Sequence, residues 1–459
     1  NLGKNCCWIN ELYKMRINFL LPFLELFNRN YYNSILTSHK NECIGKAELQ
    51  QLQKQKFNKL IEFSKENVPY YRTKLSSLMI SDISDLNKIP LLSKKDIQEH
   101  FDDLRAENLS RRRFRIDSTS GSSGETTKFY TDKRLNHIRY ACAHRGDSWT
   151  GWRLGEPLVY LWGASKDTSK AKSFLSRIKN SCLLFNSTVL SSYKMTDKDM
   201  AEYVHTINKR KPALVVGYPS ALDLFAGYIK VNNCCIHKPK GIITGGETLY
   251  ITQREKIEEA FQTKVLNRYG CREVGHIANE CEEQNGLHIS SDHVIVEIIN
   301  EKGEQCKPGE LGEVVVTDLD NYVFPLIRYR IGDLGVLSER ICKCGRPFPM
   351  LESVEGRTFD LLIGTNGNRV LATFFTLYFR HNVKGILKFQ IIQEHLTEVK
   401  LKVIVNEQYT DNDEEKIILA IRSKLGDETN VKIEVVDSIE PTGSGKHRWV
   451  ISNVSPFNN

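Results

Sequence analysis

The chain lacks what would mark it as a membrane-spanning, repetitive or disulfide-built protein. Its apolar N-terminal run, Ile17 to Phe27, is short and broken by Pro22 and Glu25, and a bilayer span needs about 20 apolar residues. No small-residue cleavage site stands out beside it. The expectation is a packed amphipathic helix, with contact at a membrane surface as the alternative. No internal repeat is evident. The 12 cysteines are an even number, but 459 residues are far more than a disulfide scaffold needs. Cys6-Cys7 and Cys234-Cys235 are adjacent pairs, poorly placed for simple bridging. The cysteines therefore read as thiols of a reducing cytoplasm. Charge of one sign is not in large excess. The net +8 suits anionic ligands such as nucleotides but is spread thinly. The dense cluster Arg111-Arg112-Arg113-Phe114-Arg115 reads as a solvated turn; no nucleic-acid module accompanies it, so nucleic acid is not an expected partner.

The Gly-Lys-Ser/Thr ending of a Walker loop is also missing. In its place stands Ser118-Thr119-Ser120-Gly121-Ser122-Ser123-Gly124-Glu125-Thr126-Thr127-Lys128, running into Phe129-Tyr130. Gly121 and Gly124 allow tight turns that bring N–H groups close to an anion. Ser and Thr hydroxyls add donors and Lys128 a positive charge. This is a phosphate cradle by its chemistry, and a flexible linker is the other reading of a Ser/Gly run.

Downstream, strand-like and helical segments alternate. Residues 47–66 read as a helix, and Ile89 to Leu92 as an extended piece before a cap at Ser93. Pro157 to Gly163, Pro212 to Gly217, Gly241 to Gly246 and Val265 to Gly270 read as buried strands, with helices after Pro219 and across Gln253 to Phe261. That pattern predicts an α/β sheet with ligands at the strands' carboxyl ends. After about Leu287 the runs Val294 to Ile299 and Gly312 to Thr317 read as antiparallel strands. A second change comes near Gly356-Arg357. Strands from Leu387 to Gln393 and Glu398 to Asn406, a helix from Asp413 to Leu425 and a strand around Val431 to Val436 make a compact α+β unit.

The order of motifs is the hydroxyl/glycine loop, Thr244-Gly245-Gly246-Glu247, Tyr269-Gly270-Cys271-Arg272-Glu273, Arg328-Tyr329-Arg330-Ile331-Gly332-Asp333, Gly356-Arg357 and Pro441-Thr442-Gly443-Ser444-Gly445-Lys446. From about Ile89 to Val450 the chain resembles the adenylate-forming superfamily of acyl-CoA ligases, luciferases and peptide-synthetase adenylation domains. Within it, the chain is most similar to the phenylacetate–CoA ligase and capsule-biosynthesis CapK-like branch. The resemblance implies a large N-terminal α/β domain, residues 1–355, with mixed sheets and a small antiparallel barrel-like part. It implies a mobile C-terminal α+β lid, residues 356–459. The implied activity is ATP-dependent and AMP-forming: an acyl-adenylate is made from a carboxylic acid and passed to a thiol, with coenzyme A the simplest. An amide-forming ligase with an amine acceptor is the runner-up. A non-catalytic nucleotide-binding scaffold in surface-polysaccharide assembly is the alternative of a different class.

Two anions must meet in such a reaction, so preorganised donors and positive charge matter more than a strong base. On that resemblance Ser120, Gly121, Ser122, Ser123, Gly124, Thr126 and Lys128 hold the outer phosphates of ATP, and Glu273 helps to hold Mg²⁺. Asp333 accepts both ribose hydroxyls. Gly245, Gly246, Glu247 and Gly270 line the nucleotide site, and Tyr269 stacks there or is simply core. Lys446 is the catalytic lysine, Arg357 joins the nucleotide site, and Arg357 and Asp360 mark the hinge. Trp162, Tyr218-Pro219-Ser220 and the segment near His276 are expected around the acid. The chain departs from many relatives in having Thr126-Thr127-Lys128 where Pro and Lys are common, and in carrying Cys271-Arg272. Cys342-Lys343-Cys344-Gly345 with Cys281 and His288 offers three thiolates and one imidazole, the set of a closed structural Zn²⁺ site; ordinary reduced cysteines are the other reading. The resemblance also implies a cytoplasmic protein, peripheral to the inner membrane at most, and leaves a homodimer open.

Overall fold

A computed structural model describes residues 29–108, 114–119, 127–162, 186–192, 195–357, 361–371, 374–375, 378–379, 382–440 and 448–454. Its helices include α1 (Lys46–Asn67), α2 (Lys133–Ser148), α3 (Asp197–Arg210), α4 (Pro219–Val231), α5 (Ile251–Phe261) and α6 (Asp411–Leu425). Its strands are β1 (Phe114–Ser118), β2 (Lys128–Asp132), β3 (Leu158–Trp162), β4 (Ser187–Ser191), β5 (Leu214–Gly217), β6 (Gly241–Gly245), β7 (Val265–Cys271), β8 (Gly275–Glu280), β9 (Leu287–Ile289), β10 (Val294–Ile299), β11 (Leu311–Asp318), β12 (Tyr329–Ser338), β13 (Met350–Arg357), β14 (Leu361–Ile363), β15 (Arg369–Leu371), β16 (Ile386–His395), β17 (Glu398–Val405), β18 (Asn430–Val435) and β19 (Val450–Ser452).

One 11-stranded sheet runs in the order β10-β11-β12-β13-β9-β8-β7-β6-β5-β3-β4. The end β4-β3-β5-β6-β7 is parallel. From β7 to β10 the pairing is antiparallel. The α/β part and the antiparallel part are thus continuous. The switch comes at Gly275 rather than after Leu287, because a left-handed turn at Gly275 (φ +86°) sends β8 back along β7. A side chain there would also collide with Arg139.

Every residue of β5 and β6 is buried, as a parallel sheet covered on both faces requires. One face packs on α3, α4 and α5 through Met200, Leu222, Phe225, Ile257 and Phe261. The other packs on α2 and on helical residues 29–41 through Tyr31, Ile35, Ala141 and Trp152. Local chemistry marks the helix starts. Thr196 and Asp199 form a reciprocal capping box on α3, Thr410 and Asp413 one on α6, and Pro219 opens α4 where its missing N–H costs nothing. Of the expected extended piece before Ser93, only Leu92 pairs, bridging to Tyr329.

From β14 onward the strands belong to separate sheets. β18-β17-β16-β19 form a four-stranded sheet packed on α6 through Phe389, Ile391, Leu401, Ile417 and Ile421. This C-terminal unit meets the large sheet where Trp449 lies edge-on to Tyr250, with ring centroids 5.8 Å apart. Among the described residues, no helix is long and apolar enough to cross a membrane.

Between α1, α2 and the antiparallel strands runs a buried ionic chain. Arg145 grips both oxygens of Asp292 at 2.7 and 2.9 Å, Lys56 reaches Asp320 at 2.8 Å, and His293 Nδ1 lies 3.0 Å from Asp320. Burial alone would raise the two carboxyls. The charge and hydrogen bonds of Arg145 on Asp292, and of Lys56 and His293 on Asp320, outweigh it and hold both below the usual carboxylate range. A depressed native pKa gives stability that is complete above the unfolded-state value, about 4, and is lost as pH falls from there towards the native value. The urea midpoint is therefore expected to hold steady from neutral pH to about 5 and to fall steeply below about 4. Asp292→Asn is expected to flatten that fall; an unchanged acid limb in the variant would contradict this account.

Candidate active site

Two carboxylates named by the motifs are held by a reciprocal brace. Tyr269 on β7 donates from its hydroxyl to Asp333 Oδ2 on β12 at 2.8 Å. Tyr329, at the start of β12, donates back to Glu273 Oε1 in the β7–β8 turn, also at 2.8 Å. Burial first, and then the charges of Asp333 and Glu273, push both phenols well above their ordinary pKa, so each stays a donor. The Tyr269 ring is packed in the core, which makes it the anchor of Asp333. Glu273 is itself buried, at 5% exposure, and Tyr329 engages its Oε1. A carboxylate held in this way offers the hard oxygen ligand that a cation such as Mg²⁺ takes.

Glycine is required at two points around this brace. At Gly270 a Cβ would sit 2.3 Å from the Gly275 carbonyl, so only glycine lets the two arms of the turn close. Gly246, just past the end of β6, has φ +79° and is exposed. Glu247 follows it, and its Oε2 accepts from the Ser220 N–H at the start of α4, 3.0 Å away. The neighbouring ends of β3 and β5 carry Trp162 and Tyr218, whose rings stack with centroids 4.1 Å apart. The ends of β3, β5, β6 and β7 thus present these groups together, as expected for a ligand site in an α/β sheet. His276 is buried on β8, with Nε2 2.7 Å from Asn279 Oδ1. Burial, and then nearby Arg268, hold its pKa well below the ordinary value, so it is a neutral imidazole.

The hydroxyl/glycine loop joins β1 to β2, which pair from Phe114↔Asp132 to Ser118↔Lys128. The Thr119 N–H donates to the Thr127 carbonyl at 3.0 Å, and the Thr127 N–H to Thr119 Oγ1 at 2.9 Å. Both ends of the segment are therefore pinned. Ser120, Gly121, Ser122, Ser123, Gly124 and Thr126 lie outside the described residues, as do Asp360 and Lys446. Of Arg357 only the backbone is described, and β12–β13 pairing sets it opposite Asp333. The ends of the Lys446 segment are also anchored on β16: Lys388 Nζ donates to the Ile439 carbonyl at 3.5 Å, and Gln390 Nε2 to the Arg448 carbonyl at 2.9 Å. Burial lowers the Lys388 pKa, while Glu247 and Glu440 act the other way. That places Lys388 within the field of Glu247, at the strand ends.

Arg328 and Arg330, which frame Tyr329 in the sequence motif, turn out to be structural. Arg328 forms a two-pronged pair with Glu297, at 3.0 and 2.9 Å, and donates to the Ile89 carbonyl at 2.8 Å. Arg330 pairs with Glu313. The braces from Tyr329 and from Arg139, whose Nη2 donates to the Glu273 carbonyl, were not assigned from the sequence. Only the motif position of Tyr329 hinted at a role.

Cys281, His288, Cys342 and Cys344 converge, with their ligand atoms all within 4.8 Å of one another. Cys281 Sγ lies 3.6 Å from Cys342 Sγ, and Cys344 Sγ 3.3 Å from His288 Nε2. The first is far beyond a disulfide bond of about 2.05 Å. Both approach the edges of a tetrahedron around zinc, about 3.8 Å for bond lengths near 2.3 Å. Gly345, at φ +74°, turns the chain so that both thiols of the knuckle face inward. His288 Nδ1 lies 3.3 Å from the Phe348 carbonyl; a proton there leaves Nε2 to face the sulfurs, the usual second support of a ligating histidine. Pairing of β9 with both β8 and β13 brings the two halves together.

Comparison with known proteins places this arrangement. Residues 362–453 match the CapK C-terminal domain family. Protein CapK of Staphylococcus aureus is 25% identical over 442 residues, covering 94% of each chain. The phenylacetate–coenzyme A ligase of Thermus thermophilus is 27% identical over 390 residues, 80% of this chain and 84% of its own. The crystal structure of 2-hydroxyisobutyryl-CoA ligase in the postadenylation state, in complex with 2-HIB-AMP, superposes with a TM-score of 0.73 at 20% identity. It covers 91% of this chain and 92% of that one. The chain is similar in sequence to CapK and phenylacetate–CoA ligases and shares its fold with a solved acyl-CoA ligase. The mixed sheet and small C-terminal unit are the fold of these ligases, and the relatives lie on the CapK and phenylacetate–CoA ligase branch.

Proposed function

We propose that the protein is an ATP-dependent, AMP-forming ligase that activates a carboxylic acid and transfers the acyl group to a thiol, coenzyme A in the simplest case. The reciprocal brace carries this reading, because it preorganises the two carboxylates that such a reaction needs at one end of the sheet. A carboxylate oxygen of the acid attacks the α-phosphorus of ATP, the bond to pyrophosphate breaks, and acyl-AMP forms. The thiol sulfur then attacks the acyl carbon, AMP departs, and the thiol proton passes to solvent.

In this scheme Ser120 to Gly124, Thr126 and Lys128 hold the outer phosphates. Asp333 binds the ribose, and Gly245, Gly246, Glu247 and Gly270 line the nucleotide. Lys446 approaches the α-phosphate on the lid. Glu273 holds Mg²⁺, which neutralises phosphate charge when bound. Residues 1–355 form the adenylating domain and 356–459 the lid, turning about Arg357 and Asp360. Stacked Trp162 and Tyr218 line the acid pocket. Cys281, His288, Cys342 and Cys344 hold a structural Zn²⁺, whose closed ligand set leaves no position for substrate.

Product analysis tests the reading. ATP, an acid and coenzyme A should give AMP, pyrophosphate and a thioester. AMP formed only with an amine would make the enzyme an amide synthetase, and ATP binding without turnover on any acid would make it a scaffold. Tyr329→Phe removes a hydrogen bond to a charged group, worth about 1.5–3 kcal/mol. The expected loss in adenylation rate is on the order of 10- to 100-fold, with the fold intact by circular dichroism. A rate within twofold of the parent would remove Tyr329 from the site.

A further inference from the structure

We propose that Arg139 is a positioning residue for Glu273, setting the β7–β8 turn from behind through a buried ionic chain. The inference rests on the assignment of Glu273 to the Mg²⁺·ATP site. The brace from Tyr329 fixes only one oxygen of the Glu273 side chain. What fixes its backbone is Arg139, on α2, whose Nη2 donates both to the Glu273 carbonyl and to Asp318 Oδ2 at 3.1 Å. Arg139 is 9% exposed and Asp318 fully buried. The turn is shaped around the arginine: Gly275 has φ +86°, and a Cβ there would lie 2.7 Å from Arg139 Cδ. The arginine's stem thus packs against Gly275 while its guanidinium holds the carbonyl of Glu273.

Asp318 is held in its turn. Its Oδ1 accepts from the Asp320 N–H at 3.1 Å, and Asp320 carries the pairs to Lys56 and His293. A planar, always-charged guanidinium can serve a carbonyl and a carboxylate together, whereas an ammonium on a flexible stem serves one position less rigidly. Losing Arg139 would free the Glu273 carbonyl and let the turn relax, moving the carboxylate away from its cation without touching the nucleotide's other contacts.

ATP binding measured by titration calorimetry across a Mg²⁺ series tests this without turnover. Arg139→Gln should raise the Mg²⁺ concentration for half-maximal enhancement of ATP affinity by about tenfold, with ATP affinity in EDTA unchanged. Arg139→Lys should recover part of the shift. Should Arg139→Gln not fold, Asp318→Asn, which loosens the guanidinium from its far side, should give a smaller shift in the same direction. An unchanged Mg²⁺ midpoint, or an equal loss of ATP affinity in EDTA, would overturn the proposal and leave Arg139 a purely structural residue. Parent protein that binds no Mg²⁺·ATP would instead overturn the functional reading on which it rests.

Discussion

Lys446→Ala is expected to lower acid-dependent adenylate formation by on the order of 10²- to 10³-fold, the cost of removing one preorganised donor from developing negative charge. ATP binding should change little, because the outer phosphates are assigned to the β1–β2 loop rather than to the lid. The expectation has a structural basis although Lys446 itself is not described. Its segment starts and ends on β16, through Lys388 to Ile439 and Gln390 to Arg448. Lys388 lies in the field of Glu247, and Trp449 packs on Tyr250, three residues further on. The base of the segment therefore stands beside the strand ends. Lys446→Arg should also be impaired, since a forked guanidinium does not replace a compact charge on a flexible stem. A half-maximal rate in Lys446→Ala would contradict the assignment.

The other large effect concerns the cysteine cluster. Purified protein is expected to carry about one zinc per chain, and the Cys342→Ser/Cys344→Ser double variant close to none. Structural zinc contributes folding energy directly, so the variant should unfold at clearly lower denaturant. The damage should reach beyond the knuckle. Phe348, whose carbonyl supports His288, lies under the Arg145 guanidinium at 4.3 Å, and Arg145 grips Asp292 in the buried ionic chain. Trp149 packs edge-on against His288 and carries Arg346 above its ring at 4.5 Å. Zinc content unchanged in the double variant, or absent from the parent, would remove the site.

Much of this architecture could be read from the chain because it rests on local chemistry. Thr196 with Asp199 and Thr410 with Asp413 mark helix starts three residues apart, and the apolar runs of β5 and β6 can only be interior strands. The candidate site was readable as an ordered set of motifs, which named Glu273 and Asp333. What holds them was not. Tyr329 acts from β12, a strand not paired with β7 or β8, and Arg139 from a helix more than a hundred residues earlier, and no spacing rule links such positions. Nor did spacing mark the partners of Arg328 and Arg330, which Glu297 and Glu313 neutralise inside the antiparallel sheet. The cysteine cluster stayed open for a related reason. Cys281 and Cys342 meet only because β9 pairs with both β8 and β13.

The most direct test of the account is ATP–pyrophosphate exchange with the purified chain, Mg²⁺ and a panel of aryl and alkyl carboxylic acids. Exchange that appears with at least one acid, vanishes in EDTA and vanishes in Glu273→Gln is the predicted result. Exchange that is independent of any acid, or none with any acid by protein that binds Mg²⁺·ATP, would contradict it.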